Sequence, residues 1–211
     1  MKVSDSRPAL WLSWTTQAAR LGGAVFDVGS ANFILSQAKF ESNQASEQGA
    51  SIYLAQTQSP LIGNSVFFSN AAPRGASVML DSVVGLSMAG VSLAGNLPET
   101  GSNIEAIGGT AQVVNSILWN NVDELAVSDG GSFDVSWSIA PVTVEGENLI
   151  ASDPLFLSAP TNDGSGNAPN LELQPGSPAI DSGNNDSIPM GLENVDAAGL
   201  SRRRDDPATA D

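Results

Sequence analysis

The chain of 211 residues contains no cysteine and no histidine. Without cysteine it can form neither a disulfide bond nor a thiolate nucleophile. Without histidine, Ser-His-Asp and Cys-His triads, histidine metal sites and imidazole acid/base catalysis are all excluded. Any function of this chain must therefore do without the side chains that most often carry catalysis and transition-metal binding.

Positive charge is scarce. Eight Lys and Arg residues stand against 23 Asp and Glu residues, giving a formal net charge of −15, and Lys2 and Lys39 are the only lysines. Such a surface repels nucleic-acid phosphates and anionic lipids, so we expect neither nucleic acid nor an anionic membrane as a partner. The negative charge suits solubility and is compatible with cation binding.

Long apolar runs are also absent. No segment approaches 18 apolar residues, and Met1–Leu10 lacks the apolar run of a signal peptide. The sequence as written therefore predicts neither a membrane span nor an export signal. Its 41% hydrophobic residues still predict a folded core, and its 21 glycines with many Asn and Ser favour short strands and turns over long helices.

One sequence unit recurs along the first half of the chain. Its glycine starts lie 26 residues apart, at Gly23, Gly49, Gly75 and Gly101. A second element follows each start, and its copies are Gln37–Asn43, Asn64–Asn70, Gly90–Asn96 and Asn115–Asn121. The fourth position of this element is always apolar while its neighbours vary, which indicates a strand with one buried face. The predicted interior column is Trp14, Phe40, Phe67, Leu93 and Leu118.

An asparagine closes each copy of the second element, at Asn43, Asn70, Asn96 and Asn121. Stacked coils would place these side chains about 4.8 Å apart, the spacing of paired strands. Each amide can then bond to the amides above and below it and satisfy the polar groups of a bend. We therefore predict a structural ladder rather than a polar binding groove.

The repeat predicts an all-β fold, a parallel β-helix with about 25–27 residues per coil. Helical repeats need a 3.6-residue periodicity that is absent here, and propeller blades run to about 40 residues. Residues 1–140 are assigned to coils, beginning inside a coil. Residues 141–211 are rich in Pro, Gly, Asn and Asp and are assigned to an irregular C-terminal cover over the solenoid end, within the same domain. The spacing does not fix the handedness, but the general preference of parallel crossovers favours a right-handed winding, which the family resemblance below also implies.

Short motifs resemble two known families. Polymorphic outer-membrane proteins carry GGAI and FxxN repeats, which are similar to Gly22–Val25, Phe40–Asn43 and Phe67–Asn70. The end of choice-of-anchor Q domain proteins is similar to the ordered series Asn115–Asn121, Asp153–Phe156, Leu173–Gly183 and Asp196–Arg202. The resemblance covers roughly residues 11–211 and implies a right-handed, pectin-lyase-like β-helix of bacterial surface or secreted proteins. Because the closing motif resembling DIGAYE and the signal peptide are missing, we expect a fragment or a misassigned gene start.

The resemblance implies export but names no established reaction. We expect a non-catalytic segment of an extracellular or cell-surface protein, with a structural or adhesin-like role or one in glycan or protein binding. The alternative is a polysaccharide-active lyase or glycoside hydrolase of the pectin-lyase-like fold, or a degenerate relative of one. Lyases of this fold need a cationic base beside carboxylate-bound calcium, yet Lys39 and Arg74 fall in different columns without a matched carboxylate cluster. No catalytic residue is therefore assigned.

Apolar residues occupy outward positions in two copies of the repeat: Val66 and Phe68 in one, Ile117 and Trp119 in the other. If exposed, they would form a patch for a glycan or protein partner. Burial beneath the C-terminal segment is the structural alternative, and its most apolar run is Leu155–Leu157. We expect that segment to fold back along this face and bury Trp119.

One loop is rich in oxygen ligands, with Asn162, Asp163, Ser165 and Asn167. Calcium prefers such ligands, although the spacing matches no EF-hand. The same residues are ordinary turn formers. Calcium is thus the single candidate cofactor, and no other is expected.

Overall fold

The computed structural model describes residues 12–14, 16–18, 20–119, 123–160, 169–192, 195–197 and 199–201. In chain order, the first strands are β1 (Leu12–Trp14), β2 (Gln17–Ala18), β3 (Val25–Val28), β4 (Ile34–Ser36), β5 (Ala38–Glu41), β6 (Gln44–Ala45), β7 (Ile52–Ala55), β8 (Leu61–Gly63), β9 (Val66–Phe68) and β10 (Ala71–Ala72). They are followed by β11 (Val78–Ala89), β12 (Ser92–Ala94), β13 (Leu97–Pro98), β14 (Ile104–Val114), β15 (Ile117–Trp119), β16 (Leu125–Ser128), β17 (Ser132–Ser136), β18 (Phe156–Ser158) and β19 (Asn170–Leu173). A 3₁₀ turn, Asn185–Ser187, is the one helical element within these ranges.

The strands stack coil on coil in three parallel sheets. Sheet I has the order β1-β5-β9-β12-β15, and sheet II has the order β2-β6-β10-β13. Sheet III has the order β3-β7-β11-β14-β16, with β8 beside β11, β4 beside β8, and β17 beside β14. Each strand pairs with its counterpart about one coil away along the chain, because each coil repeats the last. The prediction of an all-β parallel solenoid is confirmed.

The predicted interior column lies inside the coils. Phe40, Phe67, Leu93 and Leu118 are each 0% exposed. The register of sheet I places Trp14 next to Phe40, at the start of the column. The rings of Phe40 and Phe67 stack with centroids 4.7 Å apart and planes 10° apart. Like residues therefore meet like residues along the axis, and the repeat becomes a continuous apolar core.

Sheet III supplies further interior columns. One consists of Val25, Ile52, Val78, Ile104 and Leu125. A second consists of Leu35, Ile62, Met88, Val113 and Val135. A third runs from Asp27 through Leu54, Leu80 and Ala106 to Val127. Its first member is polar, and Asp27 accepts hydrogen bonds from Ser30 Oγ at 2.5 Å and Thr57 Oγ1 at 3.0 Å.

The register of the first coil differs by one residue from the predicted alignment. The 26-residue glycine spacing predicts Gly23 opposite Gly49, but the structure pairs Val25 with Ile52, which aligns Gly22 with Gly49. Gly22 and Gly49 both have positive φ, at 61° and 66°, as glycine readily allows. A Cβ on Gly23 would lie 1.8 Å from the carbonyl oxygen of Ala50. Because two glycines stand side by side, the sequence does not reveal that the first repeat is one residue longer than the next.

Coil stacking continues past residue 140, where the irregular cover was predicted to begin. Ser136 bridges Glu147 and Ile139 bridges Ile150 in parallel. The Ile150 amide donates to Ser138 O at 3.0 Å. A short turn therefore replaces most of a coil before the chain leaves the stack.

The C-terminal segment lies along the flank of the coils. Its composition predicts a cover over the solenoid end that also folds back along the outward face of sheet I, and the flank contacts differ from a cover confined to the end. Strands β18 and β19 form an antiparallel hairpin, and Gln174 Nε2 donates to Phe156 O at 2.8 Å. Farther along, the side chain of Leu192 fills the space that a Cβ on Gly63 would occupy. Since Gly63 belongs to β8 in the middle of the stack, the segment contacts several successive coils.

The interior column yields a stability prediction. We expect Phe67→Ala to lower the free energy of unfolding by about 3–5 kcal/mol, because it removes a fully buried ring and its stacking contact with Phe40. Val84, which is 59% exposed, supplies the control, and Val84→Ala should change stability by less than about 0.5 kcal/mol. Urea unfolding of both variants measures the difference. Equal effects would contradict the interior column.

Candidate functional sites on the coil surface

Three of the four predicted ladder asparagines form a continuous chain of hydrogen bonds. Asn43 Nδ2 donates to Asn70 Oδ1 at 2.9 Å, and Asn70 Nδ2 donates to Asn96 Oδ1 at 2.9 Å. The backbone amides of Asn43 and Asn70 donate to the same two oxygens, each at 3.0 Å. All three asparagines are 0% exposed, so they offer no polar groove to a ligand. Asn121 lies outside the described residues.

Buried serines recur at the opposite corner of sheet I, in a column that Val91 interrupts between Ser65 and Ser116 and that the repeat analysis did not predict. Ser65, Ser116 and Ser138 each donate from Oγ at 2.7 Å to the carbonyl oxygen two residues earlier. Each Oγ also accepts a backbone amide from the preceding coil, as Ser116 Oγ does from Val91 N at 3.3 Å. The repeated Asn-Ser pairs, Asn64-Ser65 and Asn115-Ser116, were the sequence signal that could have revealed it.

The predicted apolar patch is partly packed and partly accessible to solvent. Phe68 is 3% exposed, and Val66, Ile117 and Trp119 are all partly buried. Between them on the same outward face, Ala94 is 0% exposed. Phe68 is therefore packed, whereas Val66, Ile117 and Trp119 each keep part of their surface accessible. The burial of Trp119 is thus partial, and a glycan or protein partner at this patch stays a prediction.

Two neighbours account for part of this burial. A Cβ on Gly95 would lie 2.7 Å from Pro160 Cβ, so Pro160, just after β18, lies against the corner that follows β12. On the other side, Lys39 Nζ lies 5.0 Å from the centroid of the Phe68 ring. The distance is within the range of a cation–π contact.

Residues 184–192 and Val195 form a strap, which two outward asparagines hold against the coils. Asn115 Nδ2 donates to Asn184 O at 2.8 Å while Asn184 N donates to Asn115 Oδ1 at 2.7 Å. Two coils away, Asn64 Nδ2 donates to Val195 O at 2.9 Å. Asn64 and Asn115 both have positive φ at the corner before sheet I. This conformation places their side-chain amides on the flank of the coils, where they form hydrogen bonds with the backbone of Asn184 and Val195.

One leucine anchors the strap between these asparagines. Leu192 is 3% exposed and packs against Ala89 and Val114, with Ile188 beside it. Gly63 completes the floor, because a Cβ there would lie 2.1 Å from Leu192 Cδ1. The small residues at these outward positions therefore create the groove that Leu192 fills.

The candidate calcium loop, Asn162, Asp163, Ser165 and Asn167, lies outside the described residues. In the part of the chain that the structure describes, no three acidic side chains come together as a metal-binding group. Two carboxylates of the described C-terminal residues accept hydrogen bonds from backbone amides. Asp153 Oδ1 accepts the Leu155 amide, and Asp196 Oδ1 accepts the Leu200 amide, each at 2.8 Å.

Each basic side chain of the described residues is paired with a carboxylate. Arg20 Nε lies 2.7 Å from Glu47 Oε1, and Lys39 Nζ lies 2.7 Å from Glu41 Oε2. Arg74 binds the buried Glu105 through both Nε and Nη2. This hydrogen bonding raises the pKa of Arg74, so its guanidinium is even less able to act as a base.

Comparison of the chain with protein-family models, curated proteins and solved structures finds no match. Among the described residues, no helix is long and apolar enough to cross a membrane.

The ladder yields a second stability prediction. We expect Asn70→Ala to lower the free energy of unfolding by about 1–3 kcal/mol, because Asn43 loses its acceptor and Phe40 O loses its donor inside the protein. The exposed Gln58 serves as the matched amide control in Gln58→Ala. An unchanged denaturation midpoint for Asn70→Ala would contradict a stabilising ladder.

The strap can be tested through Leu192. We expect Leu192→Ala to speed proteolysis within residues 184–201, because the variant empties the groove over Gly63 and costs about 2–5 kcal/mol. Met190, two residues away and 90% exposed, supplies the control variant Met190→Ala. Limited proteolysis with mass spectrometry locates the cuts. Identical cleavage rates in the two variants would show that Leu192 does not hold the strap.

Proposed function

We propose that this chain is a non-catalytic segment of a secreted or cell-surface protein, in which a right-handed, pectin-lyase-like solenoid serves as a structural or adhesive module. The resemblance to choice-of-anchor Q domain and polymorphic outer-membrane proteins supports the extracellular location. The role is to hold a rigid surface for a protein or glycan.

The observation that carries the proposal is the pairing of the described cations. Abstraction of a proton next to a sugar carboxylate, the step of a polysaccharide lyase, needs a basic side chain free to receive that proton. Lys39 and Arg74 are the two cations considered for that role, and each is bound to a carboxylate of its own. The raised pKa of Arg74 further disfavours its deprotonation.

The packing of the flank is the second support. A carbohydrate-active site on this solenoid would need an open groove across successive coils. The outward face of sheet I carries the packed Phe68 and Ala94, and the outward face of β8, β11 and β14 carries the strap residue Leu192. Both faces are therefore used for packing.

We expect no lyase or hydrolase turnover on pectic and related polysaccharides. New reducing ends and the ultraviolet absorbance of unsaturated uronates measure the two reactions. Asp81 is a partly buried carboxylate of β11 that accepts the Tyr53 hydroxyl at 3.2 Å. Turnover that Lys39→Ala or Asp81→Asn abolishes would overturn the proposal, since neither residue belongs to an interior column. The location is tested on the full gene, where an export signal and a surface anchor are expected, and a gene that encodes neither would contradict a surface role.

A further inference from the structure

The edge of sheet III at β16 is open. Strand β16 pairs with β14 on one side, and the sheet order ends there. Among the described residues no strand pairs with its other side, whereas the neighbouring β17 is met by a bridge from Ser136 to Glu147. An open edge presents a row of unpaired amide and carbonyl groups, which is a template for one more strand.

A pocket lies directly beside this edge. Its apolar residues are Leu125, Val127, Phe133, Val135 and Val144. Val127 is 51% exposed although it continues the interior column of Leu54, Leu80 and Ala106. The last full coil thus leaves an interior position uncovered, and an apolar side chain placed on it would gain burial.

The rim of this pocket is acidic. Asp123 and Glu145 are exposed, Glu124 also lines the pocket, and no basic side chain is among its lining residues. Asp129, at the end of the β16 turn, adds a further exposed carboxylate close to the edge. A ligand at this end therefore meets negative charge around an apolar floor.

We propose that this end of the solenoid binds an extended, basic segment of a partner protein, which adds a strand to β16. Backbone pairing with β16 supplies the affinity common to strand addition, and alternate side chains give specificity. Apolar residues of the segment cover Leu125 and Val127, and Lys or Arg residues meet Asp123 and Glu145. The inference deepens the proposed function and rests on it, because it assigns a partner to the protein-binding role.

Charge decides among the occupants that an open edge could accept. A second copy of this chain carries the same net charge of −15 and would bring carboxylates to carboxylates. A glycan offers no row of alternating amide and carbonyl groups to pair with β16. A basic polypeptide strand satisfies the edge, the apolar floor and the rim together.

A labelled peptide of alternating valine and lysine is the probe, with fluorescence anisotropy as the measurement. The double variant Asp123→Asn/Glu145→Gln should weaken its binding by about tenfold at low salt, because two charge pairs are lost. Glu99→Gln/Glu172→Gln removes the same charge from exposed sites elsewhere and should change binding less than about twofold. Val127→Asp should abolish binding, with circular dichroism used to verify the fold.

The controls separate the possible occupants. A valine–glutamate peptide should not bind, and a serine–lysine peptide should bind weakly, since it lacks the apolar contacts. Equal binding by all three peptides, or equal loss in both double variants, would overturn the proposal, as would concentration-dependent self-association through this end in light scattering. Failure of the peptide to bind leaves the polysaccharide assay unchanged, so this inference and the proposed function fail separately.

Discussion

In-register parallel pairing between coils is the constraint on which the rest of the structure depends. Because each strand pairs with the same strand one coil later, every position along the coil becomes a column. Apolar positions such as Phe40 and Phe67 then form a core, and amide positions such as Asn43 and Asn70 form a ladder. A polar column inside this fold is tolerated only where each side chain forms a hydrogen bond with the next, since an unpaired buried amide costs about 1–3 kcal/mol.

The same constraint explains how much the sequence could predict. Columns are visible in a sequence because they repeat, and so the fold class, the Phe40–Leu118 column and the asparagine positions were accessible from spacing alone. The one-residue error at Gly23 arose where Gly22 and Gly23 offered two equally good starts. The strand register and the positive φ of Gly22 distinguish them, and neither is visible in the sequence. The serine column was overlooked because serine is common and its hydrogen bond to the carbonyl two residues back leaves no composition signal.

The C-terminal segment could not be placed from its sequence. It has no repeat, and its contacts depend on what the coils leave open: the missing side chain of Gly63, the small Ala89 and the amides of Asn64 and Asn115. These features belong to residues far earlier in the chain. Asn64 and Val195, for example, are separated by 131 positions. The strap therefore covers the flank, and the exposed interior position at Val127 remains at the end of the stack.

The central claim, in-register stacking of the coils, is tested most directly by engineered disulfides, because the chain has no cysteine of its own. Ser87 and Gln112 are Cα partners in adjacent coils, and Leu61 lies one coil farther from Gln112. Paired strands lie about 4.8 Å apart, within the Cα range of a disulfide, whereas two coils span about 9.6 Å. Oxidation should therefore cross-link Ser87→Cys/Gln112→Cys but leave Leu61→Cys/Gln112→Cys as free thiols, as thiol titration and mass spectrometry will show. Cross-linking of the second pair, or failure of the first in a folded variant, would contradict the stacking.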